Sequence, residues 1–363
     1  MRPSGFHYRR YAVAVLAALL ITAPVYADNE SPTIAPNTAP PPQRGLYPAT
    51  LALAPGFILP GIGHYAAGDH ETAYALGKLG SVGGFLAAFG GTLTYMTGSS
   101  RYISYVSIPI LISGAGLLFV AQASDMYGSA GGGQRVFSAP TKMPPLRLAL
   151  GYGHVADRRF TYRHFATADI DATYRGWQGA FRAWLAGDSD NQRLVGEVAY
   201  NWLDAPAVRD SVEAATGVAL AYHRYGDDDF AVVTPEVFAR LRYPLVRLSD
   251  SLRGAFALAR VAAGAELHDY PAMDFASEGA RTDLFSLRFG FGMVFGNRRR
   301  EVVFFYDTRR DGYVGGIGLQ PMAGFLGHFG GRLQFHLGGH WGVRAALLYG
   351  SAVVAQGAVE YQF

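Results

Sequence analysis

The chain has 363 residues, of which 50% are hydrophobic and 16% are charged, and its formal net charge is +3. This composition is too apolar for a disordered protein, and its 46 glycines interrupt it too often for a bundle of long leucine-rich helices. The positive charge is nearly all arginine and is scattered, so no nucleic-acid partner is expected. The chain has no cysteine, which excludes disulfides and thiolate metal sites, and we expect neither a metal nor another cofactor.

Residues 1–27, "MRPSGFHYRRYAVAVLAALLITAPVYA", have the layout of a secretory signal peptide. A basic N-terminal region precedes a short apolar core. Val25 and Ala27 lie at the −3 and −1 positions of a signal-peptidase cleavage site. We therefore predict export with cleavage after Ala27, and a membrane anchor is the alternative. Residues 28–45 then form a Pro-rich linker that cannot bury a core.

From residue 145 to the end, apolar and polar side chains alternate with a period of two. The clearest run is "DLFSLRFGFGMVFG", in which every second residue from Phe285 to Phe295 is large and apolar, whereas the other face includes Ser286, Arg288 and three glycines. A soluble sandwich core would not accept arginine and glutamate in the middle of its strands. A closed barrel in a membrane accepts them, because its polar face lines the lumen. We predict an antiparallel transmembrane β-barrel over residues 145–363.

The alternating segment contains twelve runs, and the count depends on one joint. The apolar phase flips between Gly176 and Trp177, which predicts either a very tight turn or a β-bulge within one long strand. A barrel of about twelve strands follows from the first interpretation, and ten strands is the alternative. The runs cover about 146–154, 168–176, 177–186, 192–203, 212–225, 230–243, 252–267, 284–296, 301–309, 326–337, 341–350 and 352–363.

The longest connections support this count. Residues 155–167, 268–283 and 310–325 are the first, seventh and ninth turns, all odd-numbered. If both ends of the barrel face the periplasm, odd-numbered turns are extracellular, where long loops belong.

The chain ends in "VEYQF", with Val359, Tyr361 and Phe363 on one face of the last run. In this respect it resembles bacterial outer-membrane β-barrel proteins, whose last strand commonly ends in phenylalanine preceded by apolar residues at alternate positions. The resemblance covers residues 145–363. It implies that these three residues are the signal read by the barrel-assembly machinery, and that the protein resides in the outer membrane of a Gram-negative bacterium beside lipid and lipopolysaccharide.

Residues 46–128 follow a different pattern, with two long uncharged stretches rich in glycine and serine. Each is long enough to cross a bilayer as a helix, and small residues let helices approach closely. The segment "PGIGHYAAGD" resembles the Pro-Gly-x-Gly-x-aromatic-x-x-Gly turn of small hydrophobic helical-hairpin membrane domains. We interpret His64 and His70 as polar residues at helix ends, not as metal ligands. The turn residues are Pro60, Gly61, Gly63, His64, Tyr65, Gly68 and Asp69.

We therefore expect a Gly-rich hydrophobic α-helical unit before the barrel, joined to it by a flexible linker at 129–144. Four placements are open for this unit: inside the lumen as a plug, at the periplasmic mouth, against the membrane, or against another envelope protein bound through residues 48–128.

The sequence contains only weak candidates for the catalytic residues of a barrel enzyme. The best acid–base cluster is "ELHDY", with Glu266, His268 and Asp269 at the outer end of a run, but no nucleophile accompanies it. The balance is against an enzyme.

Charged side chains on the polar faces are expected to line the lumen, where ion pairs usually fill a small barrel. Arginine outnumbers acid, so any open path would favour anions. Inward charges are predicted at Arg182, Arg260 and Glu360 and at the main lumen-lining candidates, which are Arg147, Arg193, Glu197, Arg240, Arg242, Arg288, Glu301, Asp307, Arg309, Arg332 and Arg344.

Three hypotheses for function follow. The first is a non-enzymatic outer-membrane barrel whose helical unit plugs or docks on it, acting in envelope assembly, export or scaffolding. The second is a small passive channel that favours anions, and the third is a lipid-modifying or proteolytic barrel enzyme.

Overall fold

Twelve antiparallel strands form one closed barrel in the computed structural model, and each strand pairs with its neighbours in sequence. The structure describes residues 44–97, 101–135, 144–157, 163–203, 211–226, 230–269, 281–295, 300–309, 312–314 and 327–363. The strands are β1 Leu146–Ala156, β2 His164–Tyr174, β3 Trp177–Ala186, β4 Gln192–Leu203, β5 Glu213–Tyr225, β6 Phe230–Pro244, β7 Ala255–Asp269, β8 Arg281–Phe295, β9 Arg300–Asp307, β10 His328–Gly338, β11 Trp341–Tyr349 and β12 Val353–Gln362.

The barrel closes between its first and last strands. Leu148 of β1 lies opposite Tyr361 of β12, and the Phe363 amide donates a hydrogen bond to the Leu146 carbonyl at 3.0 Å. Closure leaves no unpaired strand edge, as a bilayer requires. We call the end that carries Leu146 and Phe363 the near end, and the opposite end the far end.

The joint at Gly176 is a tight turn. Arg175 and Gly176 alone separate β2 from β3, with φ angles of 47° and 86°. Two consecutive positive φ angles are those of a type I′ hairpin turn, whose twist matches that of the flanking strands. The prediction of about twelve strands is therefore confirmed, and the ten-strand alternative is set aside.

The observed strand bounds differ from the predicted runs, and this changes which connections between strands are longest. Because β2 begins at His164, the first connection is shorter than predicted and does not exceed the near-end connection between β6 and β7. The two longest connections, between β7 and β8 and between β9 and β10, both lie at the far end.

Outside the barrel wall, apolar side chains are exposed as lipid-facing residues would be. Leu150 is 71% exposed and Val237 is 58% exposed. Aromatic side chains concentrate towards the strand ends, as in the interfacial belts of membrane proteins. At the near end these are Tyr174, Trp177, Tyr200, Trp202, Trp341 and Phe363.

The N-terminal unit is helical: α1 is Leu46–Leu53, α2 is Ile62–Ala66, α3 is His70–Met96 and α4 is Arg101–Ser129. Helices α3 and α4 form an antiparallel hairpin in which small residues face each other. A Cβ atom added at Gly114 would lie 2.3 Å from the Ala87 nitrogen, so the two backbones touch. Thr94 donates a hydrogen bond of 2.8 Å to Ser107 across the same interface.

The hairpin packs against the outside of the barrel, not inside the lumen. Phe291 of β8 lies opposite Phe304 of β9, so both point outwards, yet Phe304 is 46% exposed and Phe291 only 2%. Tyr127 of α4 lies over Phe291, with ring centroids 6.2 Å apart. One apolar cluster joins α3, α4, the barrel wall and the near-end connection between β6 and β7. Its buried residues are Leu76, Val120, Leu245, Leu252, Ala255 and Phe291.

The dimensions of α3 and α4 suit a membrane. They have 27 and 29 residues, which correspond to lengths of about 40 Å. By length and composition, residues Val106–Ser129 could cross a bilayer. The proposed signal peptide at 1–27, most of the linker at 28–45 and residues 136–143 of the second linker lie outside the described residues.

Candidate functional site

The Pro-Gly turn before α3 is built around one carboxylate on α4. Asp125 Oδ2 accepts hydrogen bonds from the amides of Gly61 and Gly63 at 2.9 and 3.0 Å, and Oδ1 accepts from the His64 amide at 3.0 Å. His64 Nδ1 lies 2.7 Å from Asp125 Oδ1, and both side chains are fully buried. Gly61 has φ of 99°, which a glycine adopts without strain. The turn motif is thus a receptor for the Asp125 carboxylate.

Asp125 was not predicted as a site residue, because the second uncharged stretch ends just before it. A signal was present: Asp125 is the only acidic residue in α4. A buried carboxylate in an apolar helix needs donors, and the amides of a Pro-Gly turn need an acceptor.

Other residues of the motif hold the near end of the hairpin. Asp69 caps α3 by accepting a hydrogen bond of 3.2 Å from the Thr72 amide. The Thr72 hydroxyl lies 3.0 Å from that of Ser251 in the near-end connection. Burial of the Asp69 carboxyl acts to raise its pKa, but hydrogen bonds from Thr72 and Ser251 outweigh burial and lower the pKa below 3.8. Tyr65 and Gly68 do not join the carboxylate site: Tyr65 is exposed and packs on His70.

The lumen is crossed by polar contacts between strands that are not neighbours. Arg260 of β7 donates to Glu197 of β4 at 3.0 Å and to Glu236 of β6 at 2.6 Å. Arg309, which follows β9, also contacts Glu236. Glu197 further pairs with Arg182 at 3.4 Å. Since β4 and β7 lie three strands apart, these side chains bridge the interior instead of lining one wall.

A second group spans the seam of the barrel. Arg344 of β11 contacts Asp171 of β2 at 3.1 Å and also Glu360 of β12. Asp171 pairs in addition with Arg147 at 3.4 Å. Glu360 is fully buried and accepts a hydrogen bond of 3.0 Å from Gln334. Glu360 was among the predicted inward charges, whereas the acidic partners Asp171 and Glu236 were not, although both lie at inward positions of the alternating pattern.

The remaining lumen candidates lie outside these two groups of ion pairs. Arg242 lies 3.5 Å from Glu301, and Arg288 lies 2.5 Å from Asp307. Arg240 donates to Gln178 across three strands. Arg332 has no ion-pair partner among the described residues, and its side chain is exposed to the interior space. Arg193 lies at the far end, beside a cavity described below.

A segment of the β9–β10 connection folds into the far end of the lumen. Tyr313 is 8% exposed, and its ring lies 4.7 Å from that of Phe165 and 5.6 Å from that of Trp184. The Tyr313 hydroxyl donates to Asn191 at 2.7 Å, and the Ser351 amide donates to the Val314 carbonyl at 2.8 Å. Tyr313 and Val314 therefore form a lid over part of the far-end opening.

Beside this lid is a cavity of about 180 Å³. Its lining includes two of the three acid–base candidates, Glu266 and His268, whose Oε2 and Nε2 atoms are 3.8 Å apart. Asp269 is exposed and does not line it, because adjacent strand residues point to opposite faces. Of the three weak acid–base candidates, the cavity therefore brings together Glu266 and His268 and leaves Asp269 on the other face of the strand. His223, which was not a candidate, lines the same cavity.

The last strand ends in an aromatic cluster at the near end. Tyr361 lies 4.8 Å from Phe363 and 4.9 Å from Trp341, measured between ring centroids. Val359 and Phe363 are each about half exposed on the outer face. Within the described residues, no group of three or more His, Asp or Glu side chains is arranged to hold a metal ion.

A closed antiparallel barrel with an apolar outside and a charged inside decides the fold class. The chain has the fold of a bacterial outer-membrane β-barrel protein. No protein-family model matches the sequence, and no curated protein sequence matches it.

Solved structures of bacterial outer-membrane barrels resemble it at low identity. Omp33 of Acinetobacter baumannii is 10% identical with a TM-score of 0.34, covering 62% of this chain and 100% of its own. The outer membrane phospholipase OMPLA of Salmonella typhi is 9% identical with a TM-score of 0.38, covering 65% of this chain and 98% of its own. The β domain of the Bordetella autotransporter BrkA is 12% identical with a TM-score of 0.27, covering 61% and 100%.

Proposed function

We propose that this protein is a non-conducting, non-enzymatic outer-membrane scaffold whose helical hairpin docks on the lipid-facing wall of its own barrel. The observation that carries the proposal is the covered face of β7 and β8, where Phe291 is buried under α4 while neighbouring outward residues stay exposed. A hairpin held there has one face fixed to the barrel and the other free in the membrane.

Two observations support a closed lumen. Ion pairs such as Arg260 with Glu197 join strands three apart, and Tyr313 folds over part of the far end. Charged side chains that neutralise each other across the interior leave less room for a continuous water path than charges along one wall.

The barrel fold also supports a proposal for the cellular location of the protein and for its partners. With a signal peptide at 1–27, the near end faces the periplasm and the far end faces the outside of a Gram-negative cell. Val359, Tyr361 and Phe363 serve as the signal for the barrel-assembly machinery. Lipopolysaccharide surrounds the far-end rim, and another envelope protein binds the free face of the hairpin within residues 48–128.

One observation favours the channel alternative. Arg332 is exposed to the interior space and has no carboxylate oxygen within 4 Å in the described part of the chain, so a water path along it would favour anions.

Conductance measurements in planar bilayers distinguish the non-conducting scaffold from the channel. We expect full-length protein to give no current steps, and the version lacking residues 46–131 to be equally silent because the hairpin lies outside the lumen. Steady anion-selective current from the full-length protein would establish the channel instead. Current that appears only after the deletion would show that the hairpin closes the lumen, which contradicts docking on the outer wall.

Scaffolding is tested by site-specific photo-cross-linking in cells. A photoreactive residue at Phe85, which is 68% exposed on α3, should give an adduct with another envelope protein. The matched control is Val218, which is 57% exposed on the outer face of β5 and should give none. Equal labelling at both positions, or none at either, would remove the hairpin as the docking site.

A further inference from the structure

The cavity at the far end of the lumen has features of a binding site. It lies among inward residues of β4 to β7 and holds about 180 Å³, the volume of roughly six water molecules at ~30 Å³ each. That is less than the ~300 Å³ or more of pockets for drug-sized ligands. An occupant would have the size of one small ring. The lining is Arg193, Ala221, His223, Tyr225, Phe230, Val232, Thr234, Glu266 and His268.

His223 supplies the observation that points to a ligand. Its side chain is 3% exposed and lines the cavity, yet neither ring nitrogen has a hydrogen-bond partner within the described part of the chain. A buried imidazole with both nitrogens unsatisfied is costly, because each nitrogen has lost its hydrogen bond to water. A polar occupant of the cavity would restore those bonds.

One wall of the cavity is a continuous series of rings. His223 stacks on Tyr225 with centroids 3.8 Å apart, and Tyr225 stacks on Phe230 at 5.2 Å. Phe230 and His268 follow at 5.9 Å, with their planes only 4° apart. These rings make one wall of the cavity apolar.

The polar lining carries both charges. Arg193 is a donor only, Glu266 is an acceptor when ionised, and the Thr234 hydroxyl is both. A net anion would face Glu266 and a net cation would face Arg193, so neither suits the whole cavity. Neutral hydroxyl groups both donate and accept, and they suit a lining of mixed sign.

We propose that this cavity binds a neutral, hydroxylated ring of monosaccharide size, with its carbon-bound hydrogens towards the apolar wall of Tyr225 and Phe230 and its hydroxyl groups towards His223 and Thr234. This inference goes beyond the scaffold function and does not depend on it. A free sugar and a terminal sugar of a surface glycan share this chemistry.

Saturation-transfer NMR on the refolded full-length protein tests the site. One arm uses D-glucose and D-galactose, and the other uses deacylated lipopolysaccharide core oligosaccharide. We expect saturation transfer to at least one probe, and the responding arm identifies the source of the sugar. His223→Phe keeps a ring but removes both nitrogens, and it should weaken binding by about tenfold or more. Thr234→Val is a second variant with the same expected direction.

His154→Phe is the matched control, because His154 lies on the outer face of β1, next to His164. It should bind the probe as the unaltered protein does. Folding of each variant is checked by its electrophoretic shift on heating. If no probe gives transfer, or if His223→Phe and Thr234→Val bind as well as the control, the proposal is wrong. Binding of glycine or phosphate that depends on His223, without sugar binding, would overturn the assignment to a neutral sugar.

Discussion

The carboxylate of Asp125 lies 2.7 Å from Nδ1 of His64, and the two side chains are fully buried where α4 meets the turn before α3. The same carboxylate accepts three backbone amides of that turn. One acidic side chain thus satisfies the polar groups of a chain reversal that is otherwise surrounded by apolar residues. It also ties the start of the hairpin to its end.

Replacing Asp125 should therefore loosen the hairpin. Asp125→Ala leaves three amides and the His64 ring without their acceptor in a dry site, and we expect a loss of about 3–5 kcal/mol in hairpin stability. The measurement is the rate of proteolysis within residues 46–129 in lipid vesicles. Asp250→Ala is the control: Asp250 is exposed and its pair with Arg253 lies on the surface, so little change is expected. Equal protection of the two variants would contradict the role of Asp125.

The position of the hairpin predicts a disulfide. A Cβ atom at Gly116 would lie 2.6 Å from the Phe289 ring, and the natural chain has no cysteine. The double variant Gly116→Cys, Phe289→Cys should therefore form a cross-link on mild oxidation in membranes. Gly116→Cys with Val237→Cys, on the outer face of β6, should not. A cross-link in both pairs, or in neither, would show that the hairpin does not rest on β8.

Close contact between the two helices predicts opposite effects for two glycine substitutions. At Gly114 an added Cβ would meet backbone atoms at 2.3 Å, so Gly114→Ala should destabilise the hairpin by about 1–3 kcal/mol. At Gly84 the nearest atom is 4.0 Å away, so Gly84→Ala should raise stability by about 0.5–1 kcal/mol through helix propensity. Thermal unfolding followed by circular dichroism in one detergent gives both values. The same sign for both substitutions would refute the packing.

The near end of the hairpin should weaken in acid. The pKa of Asp69 is lowered below 3.8 in the folded state, so its contribution to stability is present above the unfolded pKa and is lost as pH falls through the folded value. We expect the melting temperature of the unaltered protein to decrease once the pH is lower than about 4. Asp69→Asn keeps a good helix cap but removes the charge, and it should lessen this fall.

Asp250→Asn is the control for this measurement. It makes the same change of charge on an exposed carboxylate of the neighbouring connection. Its melting temperatures should follow those of the unaltered protein at each pH. A fall of the same size in Asp69→Asn would place the acid-sensitive group elsewhere.

Several features could be predicted from residue order because they depend on neighbours in sequence. The alternation from Leu146 onwards predicted the strands, and the flip of phase at Trp177 marked the turn that the φ angles of Arg175 and Gly176 reveal. The same rule separates Asp269 from the other two weak acid–base candidates, Glu266 and His268. Residues at consecutive positions of a strand face opposite sides, so Asp269 could not share the lumen with His268.

Contacts between residues distant in the chain could not be predicted in this way. Asp125 and His64 are separated by a whole hairpin, and Arg260 meets Glu197 only because the barrel curves them towards each other. The assignment of Tyr313 to the lid likewise depends on how a long connection folds back over Phe165.

By itself, the sequence determined a closed antiparallel barrel of about twelve strands and the side of the wall to which the residues of its alternating runs point. The reason is that backbone groups in a bilayer must pair within the chain, and strand side chains alternate strictly between lipid and lumen. Only the tertiary structure decided which arginine meets which acid and that α4 lies on the outside of β8. Those outcomes depend on distances across the curved wall, and a linear pattern of apolar and polar residues does not carry them.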